Sequence, residues 1–333
     1  MVNDTKGSIV SHRLPGLFKA CESQPIAEAR WPNTIYIVTT KKGGAGKTET
    51  TECLEALSTM SGKRCLLVDV DDGNRGLGRR VGLDRVIKVS WDAPVSNAPH
   101  WVTKHAPAAD TMIFDLGAGI DSSDLPITAY LSSIWRMLAN GGARVIICAV
   151  VSTNAPTSNY IERLGKRFET LGELLVVCNN QDGSQEYPAE LADLGMTKVH
   201  LGQVPSGIQA VRLSRRELLS TVIQNPSVGF TLASACMAQR LLKFAQQSFF
   251  KDFVTIDALD KLGSISSAAP RQCAYTILKR AQATDMAIKE NARLAASMSS
   301  LLAPDLDDQA ILAAAKSYRS QYLRYREAAI TTS

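Results

Sequence analysis

The 333-residue sequence has few aromatic side chains and no long hydrophobic run. Phe, Trp and Tyr together make up 6% of the chain, which disfavours a surface that binds single-stranded nucleic acid by stacking successive bases. The longest apolar run, residues 145–151, is too short to cross a bilayer. The first residues lack the continuous apolar segment of a secretory signal. We therefore expect a soluble, cytoplasmic protein with no membrane span.

Cysteine and histidine residues are too scattered to form a recognisable metal site. There is no C-x-x-C pair, and several cysteines lie inside apolar segments. This pattern favours buried, reduced thiols over disulfides or metal ligands, and the histidines do not cluster at ligand spacing. The residues in question are Cys21, Cys53, Cys65, Cys148, Cys178, Cys236 and Cys273, with His12, His100, His105 and His200.

The remaining composition allows a large buried core. Hydrophobic residues make up 45% of the chain and charged residues 21%, which is typical of globular proteins. The net charge of +5 is mildly basic and is compatible with a polyanionic partner without requiring one. We predict three parts: an N-terminal extension (1–33), a central α/β domain (34–250) and a helical C-terminal extension (251–333).

Six short apolar segments alternate with helical segments in the central domain. The strands are predicted at TIYIVTT, KRCLLVDVD, TMIFDLGAG, ARVIICAVV, ELLVVCNN and KVHLGQVP, with helices at, for example, 47–60, 124–139 and 156–171. This alternation predicts right-handed βαβ units and a doubly wound, mostly parallel sheet. Ligands bind such sheets beyond the carboxyl ends of the strands. The polar motifs of this chain all follow predicted strands, so we expect them to meet at one edge.

The stretch KKGGAGKTET follows the first predicted strand and departs from the usual phosphate-binding template. That template is G-x-x-x-x-G-K-[ST], and Lys41 stands where its first glycine is expected. A glycine-rich turn between a strand and a helix brings backbone N–H groups against phosphate oxygens. We expect Lys47 to reach the β- and γ-phosphates and Thr48 to bind Mg²⁺. The predicted nucleotide-binding residues of the loop are Gly43, Gly44, Ala45, Gly46, Lys47, Thr48 and Glu49.

The segment KGGAGKT, with Lys42 ahead of two glycines, resembles the deviant Walker A motif of the ParA/MinD superfamily of P-loop ATPases. The resemblance implies an ATP- and Mg²⁺-dependent ATPase that forms a homodimer around the nucleotide. In that family the early lysine contacts phosphates across the dimer interface, and Lys42 takes this role. A lysine suits it, because its ammonium group lies at the end of a long flexible stem.

Other motifs extend the resemblance over roughly residues 34–245. CLLVDVDDGN is similar to the family's second-strand motif, which gives Asp71 the role of positioning the attacking water and Asp69 that of supporting the loop and the Mg²⁺ shell. MIFDLGAG is similar to the family's Walker B motif: Asp115 would hold Mg²⁺ through water, and Gly117 would begin a switch that senses the γ-phosphate.

The adenine side of the site is implied by two further matches. VVCNN places Asn179 where the family often reads adenine, and GQVPSG places Pro205 in the motif that packs near the base.

Two departures from the family pattern concern the phosphates and the second-strand loop. Glu49 replaces a Thr or Ser that commonly contacts the α-phosphate, and its carboxylate would repel phosphate if it pointed inward. Asp72 replaces a proline, so the loop after the second strand has its own shape. Hydrolysis is expected to be slow and partner-stimulated, because phosphoryl transfer depends on positioning and charge neutralisation.

The resemblance leaves several partners open. The partitioning branch of the family binds nonspecific DNA through basic residues and segregates or positions plasmid or chromosome cargo with a partner protein, which would make this chain nucleoid-associated. Nonspecific binding of this kind needs only a basic patch, and an ordinary solvated helix face is the alternative interpretation. The candidate DNA-binding residues are Arg212, Arg215, Arg216, Arg240 and Lys243, the last two on a predicted helix.

A second basic stretch, NRGLGRRVGLDR, is a candidate for coupling or dimer contact. The alternative function is a nucleotide-dependent regulator or scaffold that docks on a secretion, conjugation or synthesis machine, with weak or no hydrolysis. The C-terminal extension keeps that alternative open: residues 271–302 and 307–330 predict two helices, which either form a hairpin on the domain or bind a partner. The ending RYREAAITTS has no cluster of large hydrophobic residues, which disfavours a membrane-binding helix.

Overall fold

The computed structural model describes residues 31–71, 76–120, 126–152, 158–179, 191, 195–202, 213, 215–225 and 231–267. Seven strands form one parallel sheet, ordered β3-β2-β4-β1-β5-β6-β7. The strands are β1 (Thr34–Thr39), β2 (Cys65–Val70), β3 (Val86–Lys88), β4 (Thr111–Leu116), β5 (Arg144–Val151), β6 (Glu173–Cys178) and β7 (Thr197–His200).

The described helices cover both faces of this sheet. They are α1 (Lys47–Met60), α2 (Gly76–Val81), α3 (Ala98–His105), α4 (Pro126–Asn140), α5 (Ser158–Phe168), α6 (Leu219–Gln224), α7 (Thr231–Ala245) and α8 (Ile256–Ser267). Short 3-10 turns lie at Leu83–Arg85, Val95–Asn97, Ala106–Ala108 and Ser248–Asp252.

Two separate hydrophobic clusters lie on the two faces of the sheet. Alternate residues of β1 point to opposite sides, so Tyr36 and Val38 join one cluster while Ile35 and Ile37 join the other. The first cluster contains side chains of α1, α6, α7 and α8, and the second contains those of α3, α4 and α5. The predicted doubly wound parallel sheet is therefore confirmed.

Strand β3 and helix α8 are among the elements that the sequence interpretation did not place. Strand β3 has three residues at the edge of the sheet, too few to give a periodic pattern. Helix α8 packs on the same cluster as α7, with Ala258 and Leu262 buried. The folded core therefore continues past residue 250, where we had placed the end of the central domain, because α8 contributes side chains to that core.

Several predicted features lie outside the described residues. They include Pro205, Arg212, residues 1–30 of the N-terminal extension and the two long helices predicted after residue 270. None of the helices in the described ranges is long and apolar enough to span a membrane. Four described cysteines are buried, Cys53, Cys148, Cys178 and Cys236, while Cys65 is half-buried; burial raises the thiol pKa of Cys178 and of Cys236 to about 12.

Candidate functional site

The glycine-rich loop joins the carboxyl end of β1 to α1. Gly46 has a left-handed backbone (φ 99°) and directly precedes Lys47, the first helical residue. A Cβ on Gly46 would lie 1.9 Å from Nδ2 of Asn179, so this position excludes side chains on steric grounds as well. No side chain among the described residues caps the N terminus of α1. Its first-turn N–H groups are therefore placed to bind an anion.

Asn179 holds the glycine-rich loop in place through a hydrogen bond. This buried residue follows β6, and its side-chain amide donates a hydrogen bond to the carbonyl of Ala45 at 3.0 Å. The residues on the outer side of the loop, Lys41 to Gly44, are exposed. Lys42 is therefore accessible, as a contact with a second molecule requires. The assignment of Asn179 to adenine stays a prediction, and the structure adds a loop-supporting contact to it.

Thr48 and Asp115 form the centre of the site. The Thr48 hydroxyl donates to Oδ2 of Asp115 at 2.8 Å. Asp115 is 2% exposed, and its second oxygen, Oδ1, has no hydrogen-bond partner among the described residues. Burial raises the pKa of this carboxyl to about 7, opposed by the charge of Lys47 and by the Thr48 hydroxyl. A buried carboxylate oxygen of this kind needs a proton or a cation beside it.

Asp69 lies beside Asp115 but has different partners. The two residues are register partners on β2 and β4, and Asp69 is also buried. Its Oδ1 accepts from the backbone N–H of Asp71 at 3.1 Å, and its Oδ2 accepts from that of Gly78 at 3.0 Å. Burial raises the pKa of Asp69, and these two N–H donors oppose the shift. Asp69 thus ties the start of α2 and the half-exposed Asp71 to the end of β2.

The donor set fits a divalent cation such as Mg²⁺. Hard cations prefer oxygen ligands, and Mg²⁺ keeps several waters when carboxylates and phosphates hold it. The Thr48 hydroxyl and the unpartnered Oδ1 of Asp115 supply oxygens of that class at the N terminus of α1.

Glu49 turns toward α7 and forms an ion pair with the buried Arg240. Nη1 of Arg240 donates to Oε1 of Glu49, and Nε of Arg240 donates to the carbonyl of Leu201 at 3.0 Å. The side chains of Arg240 and Glu49 are 5% and 20% exposed. The carboxylate is therefore neutralised by an arginine, and the same arginine joins the first turn of α1 to the segment that follows β7.

Arg240 is consequently not part of an exposed basic surface, and that expectation was wrong. An arginine on a helix that also presents Lys243 to solvent looks like a surface residue in the sequence, but its face of α7 packs against α1. The signal that could have found the pair is Glu49 itself, because a carboxylate that is partly buried beside a phosphate-binding loop is stabilised by a cation nearby.

Two more glutamates follow Glu49 on α1 at intervals of three residues, and each binds a neighbouring element. Glu52, which is buried, pairs with Arg80 of α2 at 2.9 Å. Glu55, also buried, accepts from the hydroxyl and the backbone N–H of Ser220 on α6, and burial raises its pKa. The sequence interpretation missed all three contacts, which fix α1 against α7, α2 and α6.

The other basic candidates divide into two groups. Arg216 and Lys243 are exposed. Arg215 pairs with Glu217 at 2.5 Å and donates to the carbonyl of Asn225, and its side chain is 13% exposed. The expectation that Arg215 belongs to an open basic face was therefore wrong, because internal acceptors hold its guanidinium.

The two basic stretches that the sequence separates meet in the fold. The carbonyl of Arg216 and Cδ of Arg85 lie 3.8 and 3.7 Å from the position that a Cβ on Gly82 would occupy. Arg79 and Arg85 are exposed, as Arg216 is. The stretch NRGLGRRVGLDR therefore ends beside Arg216.

Comparison with known proteins gives a local match and several distant ones. No family model matches the chain. Over 55 residues the chain is 46% identical to the septum site-determining protein MinD of a Synechocystis strain. That match spans 16% of this chain and 21% of MinD, about a fifth of that relative's length.

Solved structures with similarity include MinD of Pyrococcus horikoshii complexed with Mg-ADP (TM-score 0.42, 18% identity, 64% of this chain and 97% of that one). The MinC:MinD complex of Aquifex aeolicus has a TM-score of 0.43 at 17% identity, covering 65% of this chain and 97% of that one. A plasmid partition protein of Borrelia burgdorferi has a TM-score of 0.36 at 10% identity, covering 56% and 95%.

Over these 55 residues the chain is similar to a member of the ParA/MinD superfamily, the family that its loop motifs resemble. The parallel α/β sheet agrees with this similarity, because strand β1 leads directly into the glycine-rich loop. The match does not distinguish the partitioning branch from the MinD branch.

Proposed function

We propose that this protein is an ATP-dependent switch of the ParA type, which dimerises around ATP and Mg²⁺ and hydrolyses the nucleotide slowly. The observation that carries the proposal is the Thr48–Asp115 pair, with its buried and unpartnered Oδ1, at the end of an exposed glycine-rich loop. MinD of Pyrococcus horikoshii carries Mg-ADP, and we extend a nucleotide and a divalent cation to this chain.

In this proposal each loop residue acts on the triphosphate. The uncapped N–H groups of α1 and the ammonium of Lys47 bind phosphate oxygens. Bound Mg²⁺ would neutralise phosphate charge that develops during transfer, and Thr48 and Asp115 would hold it. Asp71, whose backbone is fixed by Asp69, orients the attacking water in line with the γ-phosphate.

Lys42 makes the site depend on a second copy of the chain. It is exposed on the outer side of the loop, and we assign it to phosphate oxygens of the partner subunit's nucleotide. ATP would then favour the dimer and hydrolysis would release it, because only the triphosphate offers the full set of phosphate contacts.

The output of the switch in this proposal is nonspecific DNA binding together with a partner protein. Arg216, Lys243, Arg79 and Arg85 offer exposed positive charge, and nonspecific binding to phosphates requires no base contacts. Such binding falls steeply with salt. Protein in the ATP state should bind random duplex DNA at 50 mM salt and lose that binding in Arg216→Ala/Lys243→Ala, but not in Lys166→Ala on α5.

A second candidate is a nucleotide-dependent scaffold with weak turnover. Glu49 favours it, because the carboxylate paired with Arg240 takes the place of a hydroxyl that could contact the α-phosphate. Steady hydrolysis stimulated by DNA and abolished in Asp71→Ala would exclude the scaffold.

The dimer is tested by light scattering after size-exclusion chromatography with ATP, ADP and no nucleotide. We expect a doubling of mass with ATP alone, and Lys42→Ala should abolish it. Lys41→Ala is the matched control, since Lys41 is an adjacent, equally exposed lysine with no assigned phosphate. A mass that does not respond to ATP, or a response that survives Lys42→Ala, contradicts the proposed dimer.

A further inference from the structure

Trp91 joins two chain segments. One begins with Asp71, which the proposed function assigns to the attacking water, and the other begins with Gly117, to which the family resemblance assigns γ-phosphate sensing. It lies in the turn after β3, where the N–H of Ala93 donates to the carbonyl of Ser90. Its indole Nε1–H donates to the carbonyl of Val70 at 2.6 Å. Val70 is the last residue of β2 and directly precedes Asp71.

The same edge of the indole ring, at Cζ2, faces Gly117. A Cβ on Gly117 would be 3.2 Å from Cζ2 of Trp91 and 2.9 Å from Cδ1 of Ile120. Gly117 is the first residue after β4 and is buried. One side chain therefore bonds to the backbone at the carboxyl end of β2 and fills the space beside Gly117 at that of β4, the strands that carry Asp69 and Asp115.

The geometry is suited to transmitting small displacements. The ring of Trp91 packs on the hydrophobic cluster that includes Val89 and Ile120, and the N–H of Val89 donates to the carbonyl of Asp69. A ring held in this way cannot absorb a movement of Gly117 by rotating freely, because packed side chains have discrete arrangements. Movement of Gly117 would therefore displace the indole ring and change its hydrogen bond to the Val70 carbonyl. Because that carbonyl belongs to the peptide that joins Val70 to Asp71, the orientation of Asp71 would change with it.

We propose that Trp91 is a positioning residue for hydrolysis, which couples the chain after β4 to Asp71 through the Val70 carbonyl. The proposal rests on the proposed ATPase function. Trp91 touches neither the phosphates nor the metal site in this account, so it should affect turnover rather than nucleotide affinity. Its fluorescence should report the nucleotide state, because its ring contacts the segment that responds to the γ-phosphate.

The test compares Trp91→Phe, which keeps an aromatic ring but loses the N–H donor, with the wild type. We expect kcat to fall about 3- to 10-fold, the effect of one hydrogen bond on a barrier, with the KM for ATP unchanged. The melting temperature should stay within about 4 °C of the wild type, since the ring still packs. Trp91→Ala, which removes the ring as well, should lower kcat further and leave ATP affinity in place.

Intrinsic fluorescence gives a readout that does not depend on turnover. Wild-type emission should differ between the ATP and ADP states, and Trp91→Phe should remove most of that difference. Trp101→Phe is the control, because Trp101 lies on α3, packs against Phe114 and makes no contact with Val70 or Gly117 within the described part of the chain. It should retain the nucleotide-dependent change.

The outcomes separate the two claims. A fall in kcat with an unchanged KM, together with loss of the fluorescence difference, supports the role of Trp91. Unchanged kcat, or a fluorescence difference that survives in Trp91→Phe, overturns it while the ATPase itself stands. If the wild type neither binds nor hydrolyses ATP, the proposed function fails, and the role of Trp91 fails with it.

Discussion

The carboxyl ends of β2 and β4 carry two buried aspartates at paired positions, yet their surroundings differ. Asp69 accepts one backbone N–H on each oxygen. Asp115 accepts the Thr48 hydroxyl on one oxygen and has no partner on the other among the described residues. The first arrangement is complete within the protein and organises a loop. The second is incomplete without a proton or a cation, which is the property expected of a metal-binding carboxylate.

Glu49 is an acid whose carboxylate is held within the protein by an ion pair with Arg240. Removing the arginine of a buried pair typically costs about 3–5 kcal/mol, because the acid is left unpaired. We expect Arg240→Leu to lower the free energy of unfolding by that amount in urea denaturation. Glu49→Thr/Arg240→Leu should recover most of the loss.

Arg144→Leu is the contrast for that prediction. Its pair with Glu173 is exposed, with side chains 46% and 40% accessible, and exposed pairs contribute about 0–1 kcal/mol. Equal losses in Arg240→Leu and Arg144→Leu, or no recovery in the double variant, would argue against a buried pair.

Asp115→Asn should separate activity from stability. The amide keeps an oxygen for the Thr48 hydroxyl but cannot carry the charge that a cation requires. We expect Mg²⁺-dependent ATP turnover to fall about 10- to 100-fold, as for other residues that act on a metal through water. Stability of the nucleotide-free protein at pH 8 should be unchanged or higher, since a buried charge is removed. An Asp115→Asn protein that is less stable than the wild type and still hydrolyses ATP at the wild-type rate would contradict this interpretation.

Asp69→Asn should show the opposite pattern. The amide group can accept on its oxygen only, so its NH₂ would face a backbone N–H that now donates to the carboxylate. We expect the free energy of unfolding to fall by about 1–3 kcal/mol, the cost of one unsatisfied buried donor. The midpoint of urea denaturation measures this. If Asp69→Asn is as stable as the wild type, the two N–H contacts are not what makes Asp69 different from Asp115.

The pH dependence of stability provides a smaller test. Burial raises the pKa of Asp115 from 3.8 to about 7, so the folded chain binds this proton more tightly than the unfolded chain. The resulting stabilisation is fully present below the unfolded-state pKa and is lost as the pH rises through about 7. Without Mg²⁺ or nucleotide, the wild type should lose up to about 1.4 kcal/mol per pH unit relative to Asp115→Asn in this window.

Denaturation curves at pH 5, 6, 7 and 8 measure that difference. Parallel curves for the wild type and Asp115→Asn would show that Asp115 is already ionised in the folded protein across the range.

Local sequence patterns were sufficient for six of the seven strands and for the phosphate loop. Strand β1, the glycine-rich turn and α1 are adjacent in the chain, and the predicted bounds of α1, residues 47–60, match the structure. The shared edge of parallel strands predicted that acids would meet the loop, and the resemblance to the Walker B motif singled out Asp115, which meets Thr48.

Contacts between distant residues were not predictable in this way. Glu49 and Arg240 are 191 residues apart, and an arginine on an amphipathic helix gives no sign of which residue it will pair with. Trp91 is a single aromatic residue in a turn, and the three residues of β3 that position it have no detectable period. Burial of a charged side chain depends on how helices pack on the sheet, which the sequence specifies only through the whole fold.

The most direct test of the account is a calorimetric titration of ATP into the wild type with Mg²⁺ and with EDTA, and into Lys47→Ala with Mg²⁺. We predict saturable binding by the wild type that is strongest with Mg²⁺, and its loss in Lys47→Ala. Absence of ATP binding by the folded wild type, or binding indifferent to both Mg²⁺ and Lys47, would contradict the assignment of this loop as the nucleotide site.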